Sequence, residues 1–187
     1  MLFEKIKNRR AVYPAAFADE PIDKEQIQKL LEAANWAPTH RRTEPWRFKV
    51  FHEDAAKEKL ADFIADKYKE TTERPTSVGI RTRRDKVLQS GAVIAICMQR
   101  CPKESVPEWE EIASVAMAVQ NIWLMTQELN LGGYWSSPAS IHQLQEIVPL
   151  AEGERCIGFF YLGKLKEELE EGSRATSIDE KTTWVEL

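Results

Sequence analysis

The chain has 187 residues, 43% apolar and 30% charged, the make-up of one soluble globular domain spanning residues 1–187. Its 26 Lys and Arg against 30 Asp and Glu give a net charge of −4, which argues against bulk nucleic-acid binding through a phosphate-neutralising face. No segment approaches the roughly 18 apolar residues of a membrane span, the N-terminus lacks the apolar run of a secretory signal, and an odd three Cys suit a reducing compartment, so a cytoplasmic protein without membrane partners is expected.

Residues 2–9 read as a short helix with Leu2, Phe3 and Ile6 on one stripe, ending in the basic pair Arg9 and Arg10. Residues 23–36 read as a stronger helix. Asp23 and Gln26 form a capping-box pattern, Ile27, Leu30, Leu31 and Ala34 recur at helical spacing, and Pro38 stops it. Residues 45–51 alternate at period two, with Trp46, Phe48 and Val50 on one face, as in a strand with one buried side. An amphipathic helix is expected over 53–70. The polar stretch 71–84 reads as a mobile loop or lid leading into a helix. Residues 91–98 form a continuous apolar run, the pattern of a strand buried on both faces. Residues 108–130 lack Gly and Pro and are acidic at the start. They are apolar almost all round from Ile112 to Met125, and Gly132 and Gly133 read as their stop. A helix apolar on every side needs cover on every side, and a second copy of the chain would supply it. A short helix over 140–147, a second buried strand over 155–162 and a charged, irregular tail from Gly163 complete the pass. Helices and strands mix without a regular βαβ repeat, which points to an α+β fold, a small sheet with helices on both faces.

The chemistry-bearing residues are few. Three His lie far apart in sequence, and Cys97 and Cys101 form one C-x3-C pair without a second, too sparse for a structural metal site. No Gly-rich phosphate loop and no G-x-S-x-G elbow is present. A bound phosphate would need side chains, and Arg9, Arg10 and Arg174 are the candidates, since a planar guanidinium grips phosphate with two N–H groups. A solvated basic helix end explains Arg9 and Arg10 equally well. A second cluster, residues 36–46, packs aromatics, His40, Arg41, Arg42 and two prolines into a helix-to-strand loop. A third, residues 131–138, joins two glycines to Tyr134, Trp135, Ser136 and Ser137. The run from Arg81 to Lys86 reads as a solvated helix face.

Four motifs in this order resemble the nitroreductase family of FMN-dependent oxidoreductases: R-R-A (9–11), A-P-T-H-R-R-T-E-P-W-R-F (37–48), G-G-Y-W-S-S (132–137) and I-G-F-F-Y-L-G (157–163), with the long apolar helix between the second and third. The chain is most similar to small single-domain members that carry A-P-x-H in the first loop. The resemblance implies a mostly antiparallel central sheet and an intertwined homodimer with FMN at the interface. It implies hydride transfer from NAD(P)H to the flavin and on to a nitro compound, quinone or related small acceptor, in a ping-pong sequence. Arg9, Arg10 and Ala11 match the stretch that holds the phosphate and ribityl chain, and Arg174 the basic position that completes that site. Trp135, Ser136 and Ser137 match the segment against the flavin ring. Thr39, His40 and Arg42 match the loop that comes from the partner subunit, with Trp36 just before it as a further wall. No catalytic side chain is implied, because the flavin carries the chemistry. The chain departs from the common R-R-S-x-R at Ala11 and Tyr13, and from the common A-P-S-x-x-N-x-Q-P-W at Arg42 and Glu44. Arg42 is thereby the candidate for the cation near the flavin pyrimidine. A flavin-binding carrier or sensor with little turnover is the alternative function.

Overall fold

Residues 1–169 and 171–186 are described by a computed structural model, whose centre is the apolar run read above. Four strands, β1 (Trp46–Phe51), β2 (Ala92–Gln99), β3 (Leu131–Ser136) and β4 (Glu154–Lys164), form one antiparallel sheet in the order β1-β2-β4-β3. Period two sends Ala92, Ile94, Ile96 and Met98 of β2 to one face, and Val93, Ala95 and Cys97 to the other. Both sets are buried, so the sheet needs helices on both sides.

The first face is covered by α2 (Lys24–Asn35) and α5 (Glu108–Thr126), through Ile27, Leu30, Val115, Val119 and Ile122. The second is covered by α3 (Asp54–Thr71) and α4 (Ser77–Leu88), through Leu60, Phe63, Ile64 and Val87, with a 3-10 segment over Ala139–Glu146. Phe159 and Phe160 sit side by side on β4, point to opposite faces and are wholly buried. Each contributes roughly 1.5–3 kcal/mol, more than any local strand preference. The expected α+β architecture with a mostly antiparallel sheet is therefore the one observed.

Local chemistry explains the element ends. Asp23 and Gln26 form the reciprocal capping box of α2, with Gln26 accepting from the Asp23 N–H at 3.1 Å. The Thr76 hydroxyl accepts from Gly79 N–H at 3.0 Å and starts α4. The stretch 71–84 is therefore no long loop. Only residues 72–76 are irregular. The polar residues that hid the helix are employed in packing: the Arg83 guanidinium lies 3.6 Å from the Tyr68 ring centre of α3, and Arg84 pairs with Asp62. Among the described residues no helix is long and apolar enough to cross a membrane.

The third cluster departs most from expectation. Asn130, at φ 53°, is the left-handed stop, after α5 has tightened into a 3-10 turn at Gln127–Leu129. Gly132 and Gly133 lie inside β3 instead. A Cβ on Gly133 would meet the Phe160 ring at 2.5 Å and the Tyr161 carbonyl oxygen at 2.6 Å. Glycine there lets the edge strand sit on β4, so the pair marks a crowded strand rather than a helix end. Replacing Gly133 by Ala must move backbone, and we expect a loss of about 1–3 kcal/mol. Urea denaturation reads this directly, and an unchanged midpoint would show that β3 does not pack as described.

Candidate functional site

The short helix α1 (Leu2–Asn8) runs into an extended arm, Arg9 to Tyr13, laid along the outer edge of β3. Val12 N–H donates to the Gly133 carbonyl at 3.1 Å. The arm brings two guanidinium groups to one place. The Arg9 guanidinium lies over the indole of Trp123 in α5, with its central carbon 4.4 Å from the ring centre. The Trp123 N–H donates to the Arg10 carbonyl at 2.7 Å. Arg10 bends back so that Nη1 donates to the Lys7 carbonyl at 2.6 Å and the Arg9 carbonyl at 3.0 Å. Its Nε is buried and, among the described residues, has no partner.

The tail adds the third arginine. At Gly172 a Cβ would come within 2.1 Å of the Arg10 guanidinium carbon, so glycine is what lets the tail press on Arg10. Arg174 follows two residues later and donates to the Ser173 carbonyl at 3.0 Å. Burial, and then the positive charges of Arg174 and Arg10, push the Arg9 pKa below its ordinary value. Among the described residues no carboxylate lies within ion-pair distance of Arg9, Arg10 or Arg174. Three guanidinium groups converge without a counter-charge, one with a buried unsatisfied N–H. That arrangement is completed by an anion, and a phosphate carries both the charge and the acceptor oxygens.

From this basic end β3 runs to the second group of expected residues. Gly133 turns its carbonyl to the open edge, so by period two Trp135 turns its N–H group to the same edge, and Ser137 follows the last residue of the strand. Ser137 lies roughly 13 Å beyond Gly133 along the strand direction. Trp135 is half-buried, and its indole rests on Gly158, where a Cβ would lie 1.9 Å from the indole nitrogen. Ser136 is half-buried and Ser137 exposed. On the other face of β3, Tyr134 is stacked on Tyr161 at 5.0 Å and meets Tyr13 at 4.7 Å with the rings tilted by 51°, and burial pushes its phenol up to about 12. Tyr13 is thus an aromatic lid on Tyr134 where the common family pattern has a cation. The site has an anion end, an edge of backbone donors and an aromatic wall in sequence along one strand, which fits a long ligand with a phosphate at one end and a flat ring at the other.

The 36–46 loop does not join this group within one chain. The His40 imidazole meets Glu110 in the first turn of α5 at 2.5 Å, whereas Arg9 rests on Trp123 near the far end. Those two points of the helix are roughly 20 Å apart at 1.5 Å per residue. Arg41, Arg42 and Glu44 all have positive φ, at 51°, 54° and 43°. The Thr39 hydroxyl, 3.1 Å from that of Thr43 and accepting from Glu44 N–H at 3.2 Å, holds this uncommon backbone. Arg42 is exposed, and among the described residues it has no ion pair. Trp36 caps α2, is 79% exposed and donates to Glu32 at 3.0 Å. It lines a cavity of about 470 Å³ with Leu2, Leu124 and Met125, which has none of the other expected site residues on its wall. Sequence reading did not single out Trp123, one of the apolar residues of the long helix, or Gly172, whose only signal is proximity to Arg174.

The chain belongs to the nitroreductase family, whose sequence pattern matches residues 6–164. A relative from Bacillus subtilis, "Putative NAD(P)H nitroreductase YfhC", is 24% identical over 98% of this chain and 93% of its own. The crystal structure of the nitroreductase-like family protein from Bacillus cereus superposes with a TM-score of 0.85 at 28% identity, covering 100% of this chain and 96% of that one. Oxidized iodotyrosine deiodinase, bound to FMN and 3-iodo-L-tyrosine, shares the fold with a TM-score of 0.75 at 20% identity, over 98% of this chain and 100% of that one.

The uncompensated charge makes a direct prediction for the ligand-free protein. Inorganic phosphate should raise the thermal midpoint, because an anion bound only by the folded state stabilises it by mass action. Arg10→Ala and Arg174→Ala should each remove most of that gain. Chloride at matched ionic strength serves as the control, and an equal shift with chloride would mean screening rather than a site.

Proposed function

We propose that this chain is an FMN-dependent oxidoreductase that takes hydride from NAD(P)H and delivers it to nitro compounds, quinones or related small acceptors. The observation that carries the reading is the trio Arg9, Arg10 and Arg174 at the foot of an edge strand whose far end offers Trp135, Ser136 and Ser137. FMN supplies the hydride chemistry when it is bound, and the protein supplies binding, orientation and electrostatics. Arg9, Arg10 and Arg174 hold the phosphate and give up their mutual repulsion on doing so. Ala11 has only a methyl side chain, so the arm stays open for the ribityl chain. The outward N–H of Trp135, at the Ser137 end of the edge, would donate to a flavin ring held there as it gains electron density on reduction, and preorganised backbone donors stabilise such charge without reorganisation. The Trp135 indole, seated on Gly158, walls the ring plane from water.

The partner proposed is a second copy of the chain. One copy leaves apolar residues of α5 exposed, with Trp109 at 68% and Met117 at 39%, beside Trp36 at 79%. Such a surface, continuous with α1, asks for cover. A homodimer would bring Thr39, His40 and Arg42 of one subunit to the strand edge of the other, and Arg42 would supply the cation that Tyr13 does not. Donor and acceptor would use the same face in turn, hence ping-pong kinetics.

The test is spectroscopic. The purified protein should be yellow or take up FMN, one of NADH and NADPH should bleach it anaerobically, and a quinone or nitroaromatic should restore the colour. A colourless protein that fails to bind added FMN would falsify the assignment. Bound FMN that neither nucleotide bleaches would favour a flavin carrier instead. Arg42→Ala should weaken FMN binding and lower the flavin midpoint potential by tens of millivolts, roughly one lost charge contact.

A further inference from the structure

Trp123 makes three contacts that together fix the basic end of the site. Its ring face carries the Arg9 guanidinium at 4.4 Å, its N–H holds the Arg10 carbonyl at 2.7 Å, and its edge meets the buried Phe160 ring at 5.4 Å and 87°. The first contact seats the Arg9 guanidinium on the ring, and among the described residues that guanidinium makes no hydrogen bond, so its N–H groups remain available to an anion. The second fixes the backbone between the two arginines. The third stops the indole from turning, because Phe160 is itself wholly buried on β4. A long side chain held on a platform loses less freedom on binding than one free in solvent. It also keeps two like charges at a set distance that they would otherwise increase.

We infer that Trp123 is a positioning residue that sets the preference of this chain for a phosphorylated flavin over the same flavin without phosphate. The inference rests on the reading of the arginine trio as a phosphate site. The polar and cationic contacts of Trp123 are all with the arginine end of that site, whereas the ring end lies at Trp135 to Ser137. Its effect is therefore confined to ligands that carry the phosphate. A tryptophan that served only to fill the core would affect FMN and riboflavin alike.

The experiment titrates the full-length, flavin-free protein with FMN and with riboflavin and follows the quenching of flavin fluorescence. Wild type should bind FMN more tightly. Trp123→Leu removes both the platform and the N–H, and the FMN-to-riboflavin affinity ratio should fall about tenfold. Trp123→Phe keeps a ring beneath Arg9 but lacks the N–H, and the ratio should fall about threefold. Riboflavin affinity should stay within about twofold in both, and circular dichroism with a thermal midpoint establishes folding. If the Leu variant does not fold, the Phe variant decides alone. An unchanged ratio, or parallel loss of both flavins, overturns the inference and leaves Trp123 a packing residue. A wild type that binds FMN no better than riboflavin sinks the phosphate-site reading itself, and shows it before any variant is made.

Discussion

The repulsion among Arg9, Arg10 and Arg174 is the constraint around which the rest is arranged. Like charges brought together without a counter-ion separate unless something restrains each of them. Here each restraint comes from a different part of the chain. The α5 indole lies under Arg9, backbone carbonyls of the first helix and the arm bind Arg10, and the tail folds over Arg10 at Gly172. The N-terminus, the long helix and the C-terminal tail are far apart in sequence and are brought together there. The cluster raises the energy of the ligand-free state and so increases what an anion contributes when it binds, which is preorganisation in its electrostatic form.

The sheet provides the distance scale. β3 is an edge strand because the 9–13 arm, rather than a fifth strand, covers part of its outer side. An edge left open exposes N–H groups that invite unwanted pairing. The arm blocks the first half of the edge, and the second half remains for a ligand. Gly133, which lets β3 approach β4, and Gly132, which lets the arm and Leu165 approach β3, therefore also place a row of donors beside the basic cluster. Trp135 and Gly158 repeat that logic on the neighbouring strand, with a large flat side chain resting where no Cβ stands.

Much of this was legible in the residues. Capping at Asp23 gave α2, and alternation over 45–51 with the two apolar runs gave β1, β2 and β4 but not β3, because each is a local pattern with one physical meaning. The misreadings have physical reasons. Gly132 and Gly133 follow a helix, and a glycine after a helix usually ends it. Asn130 took that role two residues before the pair, leaving Gly133 for a contact with Phe160, and Gly132 for contacts with Val12 and Leu165, that only the folded chain creates. The 71–84 stretch is polar because α4 packs by a stacked arginine and an ion pair rather than by an apolar stripe, which periodicity cannot detect. Trp123 sits at a core-like spacing on α5, and nothing local distinguishes a tryptophan that carries an arginine from one that fills a void. Arg9, Arg10 and Arg174 could be named as candidates, but not brought together, since more than 160 residues separate the first from the last.

Helix α5 then ties the arginine end of the site to the proposed partner. Its first turn binds the strained 39–44 loop through His40 and Glu110, and its last turns carry Trp123 under Arg9. In one chain those two functions are a helix length apart, so neither completes the other. A two-fold axis across the exposed α5 face reverses the helix direction, and the start of one copy then lies near the end of the other. One interface would thus complete two equal sites and cover the apolar residues that the single chain leaves exposed. The long apolar helix is in this view a burial requirement and a site requirement at once. Loosening its outer face should cost flavin affinity as well as association, because the two share the same side chains.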